Sequence, residues 1–221
     1  MRVVMFDIGG VVLTNGWDRV ERATLAREFG LDPADFEARH WEWADDLEAG
    51  RLPLNDYLDR MVFREPRPFT REQFVAAMEA QSQPLPGMLE LVRALRQGAG
   101  AGGGSSPGNR GFLLCALNNE SRELNRYRID TFGLRELFDV FFSSCYLGVT
   151  KPDPAIFRLA LDLTQAEPGE CVFVDDRPAN AEAAASQGMR AIVHRSLEET
   201  RAALAELGIG RAEDRVLRQE H

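Results

Sequence analysis

The chain has 221 residues, 44% of them hydrophobic, and a formal net charge of −9 from 26 basic and 35 acidic side chains. That length builds one core, or a core with a smaller inserted unit. The acidic balance, with no basic cluster against it, argues against a partner that is nucleic acid or an anionic membrane.

No apolar run approaches the ~20 residues that span a bilayer. No charged start followed by a long apolar stretch marks a signal peptide, so a soluble cytoplasmic protein is expected. Cys115, Cys145 and Cys171 are sparse, odd in number and without close metal-ligand spacing. They read as buried small hydrophobes in a reducing compartment.

Val3 to Phe6 is a short, β-branched apolar run ending at Asp7, the pattern of a buried parallel strand with a polar residue at its end. Gly9-Gly10 then permits a sharp turn or a close approach to a ligand. From about Trp17 to Gln83, strand-like runs give way to helical spacing: Val20, Leu25 and Phe29; Phe36, Trp43 and Leu47; Leu54, Tyr57, Leu58 and Met61. Asp32-Pro33 and Leu52-Pro53 read as helix starts with Pro in the first turn, and Thr70 to Gln73 as a capping box. About four helices are expected here. The division is a core of residues 1–15 and 84–221 with a helical insert of 16–83.

After Pro84-Leu85-Pro86-Gly87, Met88 to Arg96 reads as an amphipathic helix. The Gly-rich run 98–111 reads as a flexible loop; it lacks the Gly-Lys-Ser/Thr ending of a phosphate cradle. Strands and helices then alternate: Phe112 to Leu117, Ser121 to Phe132, Val140 to Phe142, Pro154 to Leu163, Val172 to Val174, Ala179 to Gln187, Ala191 to Val193 and Leu197 to Leu207. Such alternation predicts an α/β fold, a Rossmann-like parallel sheet between helices, with ligands beyond the carboxyl ends of its strands.

Four polar segments fall at or near that edge. Asp7 follows a buried strand, where it either attacks phosphorus or caps the turn before Gly9-Gly10. Asp175-Asp176 closes another strand as a metal-binding pair suited to Mg²⁺ or as exposed turn residues. Lys151, before Pro152-Asp153-Pro154, either neutralises charge at a phosphoryl group or is a surface lysine. Asn118-Asn119 can meet phosphate oxygens, cap the next helix, or both. Asn180 can steady the carboxylates or Lys151. Within the insert, His40, Trp41 and Trp43 form an aromatic group near Gly50-Arg51; core packing is the expected role, with proton supply by His40 the alternative.

In this order, the four segments resemble the motifs of the haloacid dehalogenase superfamily of hydrolases. The resemblance extends over nearly the whole chain, including a helical cap inserted after the first strand. It is nearest to the branch of sugar-phosphate phosphatases and the phosphatase domain of soluble epoxide hydrolase. It implies a Mg²⁺-dependent phosphomonoester hydrolase acting on a small phosphorylated metabolite. Asp7 would be the nucleophile and would also bind metal together with the Gly9 carbonyl, Asp175 and Asp176. Lys151 would be catalytic and, with Gly9, Gly10, Asn118 and Asn119, would bind substrate.

Asn118 stands where the family usually has Ser or Thr. Gly9 stands where its phosphatases usually carry a general acid/base, a loss that typically costs ~10²–10⁴-fold, so turnover is expected to be slow. Some members of the branch carry Gly there and remain phosphatases, and a good leaving group such as a sugar 1-phosphate needs less acid help. The alternatives are a hydrolytic dehalogenase, in which Asp7 attacks carbon, and a non-catalytic member that binds a phosphorylated ligand or a protein. Monomer and homodimer both remain open.

Overall fold

A computed structural model describes residues 2–98 and 111–210. Between its end residues, the Gly-rich run at 98–111 lies outside the described residues. Five parallel strands, β1 (Arg2–Phe6), β2 (Phe112–Asn118), β3 (Val140–Ser143), β4 (Cys171–Asp175) and β5 (Arg190–Val193), form a sheet in the order β3-β2-β1-β4-β5.

The strands read as continuous apolar runs because both faces are covered. Val4, Phe6, Leu114, Ala116, Val172 and Val174 pack on α5 (Met88–Gly98) and α10 (Leu197–Glu206) through Met88, Val92, Leu95 and Leu204. The alternate residues Val3, Met5, Cys115, Leu117 and Phe173 pack on α8 (Pro154–Thr164) and α9 (Pro178–Ser186) through Ile156, Phe157, Ala160 and Ala184. All three cysteines are buried and free, and burial pushes each thiol up.

Register brings the polar residues to one edge. Phe6 pairs with Ala116 on one side and Val174 on the other, so Asp7 and Asp175 emerge next to each other. The chain moves outward from β1 through β2 to β3, then returns to the other side of β1 as β4. The gap between β1 and β4 is therefore the point where strand order reverses, the usual crevice for a ligand.

Between β1 and α5 lie α1 (Arg19–Glu28), α2 (Pro33–Glu48), α3 (Leu54–Met61) and α4 (Arg71–Ala80). Leu25, Phe36, Leu47, Tyr57, Leu58, Met61, Phe74 and Met78 give them a core of their own, which Leu124 of α6 (Arg122–Thr131) joins from the sheet side. Asp32 caps α2, accepting from the Ala34 and Asp35 amides, with Pro33 in the first turn. Both halves of the Thr70–Gln73 capping box form. Three details of the sequence reading are corrected. Val20 is 73% exposed and contributes nothing to this core. Pro53 is the residue before α3 rather than within its first turn. Ser121, rather than either asparagine, caps α6, its hydroxyl accepting from the Leu124 amide.

The two crossings into and out of these helices are laced together. The Thr14 amide donates to the Gln83 carbonyl at 2.7 Å. The Thr14 hydroxyl donates to the Gln81 carbonyl at 2.6 Å and accepts from the Gln83 amide at 2.9 Å. From α6, Arg128 reaches both crossings, donating to Ser82 Oγ at 3.0 Å and to the Asn15 carbonyl.

Candidate active site

Lys151 is the hub. Its Nζ lies 2.9 Å from Asp7 Oδ2 and 2.6 Å from Asp175 Oδ2, and its side chain is 1% exposed. Asn119 holds the lysine in place: its Oδ1 accepts from the Lys151 amide at 2.8 Å, and its Nδ2 donates to the Lys151 carbonyl at 2.9 Å. Burial works against charge on the lysine, but Asp7 and Asp175 outweigh it and hold its pKa above the ordinary value.

The carboxylate pair divides into two roles. Asp175, fully buried, accepts from the Arg177 amide at 2.8 Å and from Asn180 Nδ2 at 3.0 and 3.1 Å, besides Lys151. Asn180 thus steadies Asp175 rather than Lys151. Among the described residues, Asp176 receives only a long 3.5 Å contact from Asn15 on Oδ2, and its buried Oδ1 has no partner. An orphaned carboxylate oxygen is costly unless it is meant for a cation.

Asp7, Asp175 and Asp176 each offer an oxygen within 4.8 Å of the others. Burial pushes the Asp7 carboxyl up, to about 7; Lys151 pulls it down, while Asp175 and Asp176 push it further up. Burial and Asp175 also raise Asp176. Three carboxylates sharing one ammonium are short of positive charge. A hard divalent cation with oxygen ligands fits that deficit and the free Oδ1.

Gly10 makes room for this arrangement. It sits at φ +73°, and a Cβ there would stand 2.2 Å from Asp176 Oδ2. Its amide donates to the Leu13 carbonyl at 2.8 Å. Gly9 lines the cavity above Asp7. A Cβ at Gly9 would lie 3.2 Å from Asn15 Oδ1 and 3.5 Å from Arg128 Nη1. Asn118 does not line the cavity; its amide joins a buried cluster, with Oδ1 accepting from Ser143 Oγ at 2.9 Å and Nδ2 donating to Asn125 Oδ1 at 3.0 Å. Its polarity serves the sheet edge.

The cavity holds about 60 Å³. Asp7, Gly9, Asn119 and Lys151 line its sheet side, and Trp17, His40, Leu47 and Glu48 its helical side. His40 is buried and faces Tyr57 Oη from Nδ1 at 2.8 Å. Trp17 Nε1 can only donate, and does so to Tyr57 Oη at 3.3 Å. Tyr57 Oη thus bridges Trp17 and His40. Burial, then Arg22, lowers the His40 pKa to about 4, which disfavours an imidazolium at this position. Trp41, by contrast, is 68% exposed rather than core, while Trp43 is half-buried under the Arg60 guanidinium.

Residues lining the cavity to which the sequence reading gave no role are Asn15, Trp17, Asp18, Glu48, Glu120, Arg128 and Arg177. Glu120, just before α6, and Arg128, in its last turn, pair across 3.1 Å, a contact that no local spacing in the sequence marks.

A family model for haloacid dehalogenase-like hydrolases matches residues 1–188. The chain is 37% identical over 228 residues to bifunctional epoxide hydrolase 2 of Sus scrofa, covering 94% of this chain and 38% of that protein. It therefore spans well under half the length of that relative. It is 26% identical to phosphatase MT3486 of Mycobacterium tuberculosis (strain CDC 1551 / Oshkosh), covering 87% of each. Its fold is similar to that of the HAD family enzyme bt-2542 from Bacteroides thetaiotaomicron, with a TM-score of 0.72 at 17% identity over 92% of this chain and 98% of that one. With matching motif order, sheet and family model, this chain belongs to the haloacid dehalogenase-like hydrolases.

Proposed function

We propose that this chain is a Mg²⁺-dependent phosphatase of small phosphomonoesters, with Asp7 as nucleophile. The observation that carries the reading is the Asp7–Lys151–Asp175 contact beside the partnerless oxygen of Asp176. Asp7 attacks phosphorus, giving an aspartyl-phosphate, and water releases phosphate from it. Lys151, held by Asn119, faces the developing negative charge without having to reorganise. Asp7, Gly9 through its carbonyl, Asp175 and Asp176 would hold the cation, which when bound would neutralise phosphoryl charge and keep Asp7 ionised. The helices at 16–83 act as a cap, and the cavity volume favours a small metabolite.

The test is phosphate release from a panel of phosphomonoesters, including sugar 1-phosphates and 4-nitrophenyl phosphate, with Mg²⁺ and with EDTA. Metal-dependent release should disappear in Asp7→Asn while the melting temperature changes little. Turnover retained by that variant would overturn the nucleophile. Halide release from a 2-haloacid that persists in EDTA would instead make the chain a dehalogenase, a chemistry in which the metal-shaped acidic cluster has no part.

A further inference from the structure

Hydrolysis of an alkyl phosphate must deliver a proton to the leaving oxygen, and Gly9 has no side chain to do so. Besides Asp7, the carboxylates lining the cavity are Asp18, Glu48 and Glu120. Two of these are committed elsewhere. Glu120 pairs with Arg128 at 3.1 Å and accepts from the Ser121 amide at 2.9 Å. Asp18 caps α1 through the Arg19 amide and pairs with Arg177 at 2.9 Å. Glu48 is different: its carboxylate takes part in no hydrogen bond or ion pair among the described residues.

Its backbone, however, is fixed to the sheet side. Ser144 Oγ, in the short α7 (Ser144–Leu147), donates to the Glu48 carbonyl at 2.6 Å and accepts from the Glu120 amide at 3.0 Å. Gly50 lies so close to α7 that a Cβ would be 2.1 Å from the Cys145 carbonyl. Arg51 Nη1 adds a contact to the Gly148 carbonyl at 3.3 Å. The end of α2 is thus seated on the catalytic edge by three separate contacts, although the rest of the helix belongs to the insert.

Resting on the phosphatase reading above, we infer that Glu48 is the general acid and base of the reaction, replacing from the insert the side chain that Gly9 lacks. In the first step an Asp7 oxygen bonds to phosphorus, the bond from phosphorus to the ester oxygen breaks, and that oxygen takes the Glu48 proton. In the second, the Glu48 carboxylate takes a proton from water as the water oxygen bonds to phosphorus. The bond to Asp7 then breaks, yielding alcohol and phosphate with both carboxyl groups restored. The surroundings suit a proton carrier. Burial, then the charge of Glu120, push the Glu48 carboxyl up to about 7; Asp45 adds to the push, and Arg177 and Lys151 pull back.

The experiment compares an alkyl phosphate with 4-nitrophenyl phosphate, whose leaving group needs no proton, in wild type and Glu48→Gln with Mg²⁺. For the alkyl ester, kcat/KM should fall about 10²–10³-fold. For the nitrophenyl ester it should stay within about threefold of wild type, while kcat falls and a burst of about one nitrophenolate per enzyme precedes slow turnover. The alkaline limb of the alkyl-ester pH profile should also vanish, and added acetate should restore part of the rate to Glu48→Ala. An equal fall for both esters would overturn the assignment, since that marks a structural role, as would no change for the alkyl ester. If wild type releases phosphate from neither ester, the phosphatase reading itself fails and takes this role with it.

Discussion

At the residue scale, the site depends on the different treatment of two adjacent carboxylates. Asp175 is immobilised by Lys151, Asn180 and the Arg177 amide; Asp176 is kept free by a glycine. Asn180→Ala removes the amide that bridges both Asp175 oxygens and should weaken Mg²⁺ binding and activity about 10–100-fold, the usual effect of losing a group that orients a ligand. Gly10→Ala should do more, since φ is +73° and the added carbon would lie within 2.2 Å of Asp176. Mg²⁺ titration by calorimetry measures both, and unchanged affinity in Gly10→Ala would refute the spacing argument. Asp7, Asp175 and Asp176 stand out in the sequence because carboxylates at the end of apolar strands are anomalous, whereas Lys151, in a loop before a helix, stands out only in their company. The role of Asn118 was not legible, because strand-end position says nothing about which way an amide turns. Glu48 was illegible because it comes to the site only through the packing of α2 on α7.

Elements were easier to read than roles. The strands were found through apolar runs with both faces buried, and α2 and α4 through their capping residues. The short α7 escaped, since four residues carry no period. Within the insert, the relay from Trp17 through Tyr57 to His40 ties α2 to α3, and it has a pH consequence. The folded-state His40 pKa, about 4, lies below its ordinary 6.5. As pH falls from 6.5 towards 4, the unfolded chain takes a proton that the folded one refuses. The stability contributed by neutral His40 is thus complete above about 6.5 and is lost as pH falls through about 4, at most roughly 3 kcal/mol. Raised carboxyls such as Asp7 and Glu48 act in the opposite direction, so the term must be isolated by difference. Denaturant unfolding of wild type and His40→Gln at pH 7 and pH 4.5 should show a gap that narrows or reverses at the lower pH; a constant gap would refute the buried neutral ring.

For the whole molecule, the feature to pursue is the lacing of residues 14 and 81–83. Chain entry and exit meet within hydrogen-bond distance, so the sheet experiences residues 16–83 much as it would a tight hairpin. Little loop-closure entropy depends on what lies between. We propose that a chain with 16–80 replaced by a short Gly/Ser linker still folds and binds Mg²⁺ through Asp7, Asp175 and Asp176, though Leu124 would then meet water. Circular dichroism melting and Mg²⁺ calorimetry would check this, and a product without a cooperative transition would sink it. On that proposal, the lacing would make the helical unit a replaceable cartridge. On the function proposed above, a lineage could exchange the part facing the leaving group while the sheet-side site stays as it is. A cartridge that also carries its own proton donor would relieve the sheet of keeping one, leaving position 9 free to become glycine.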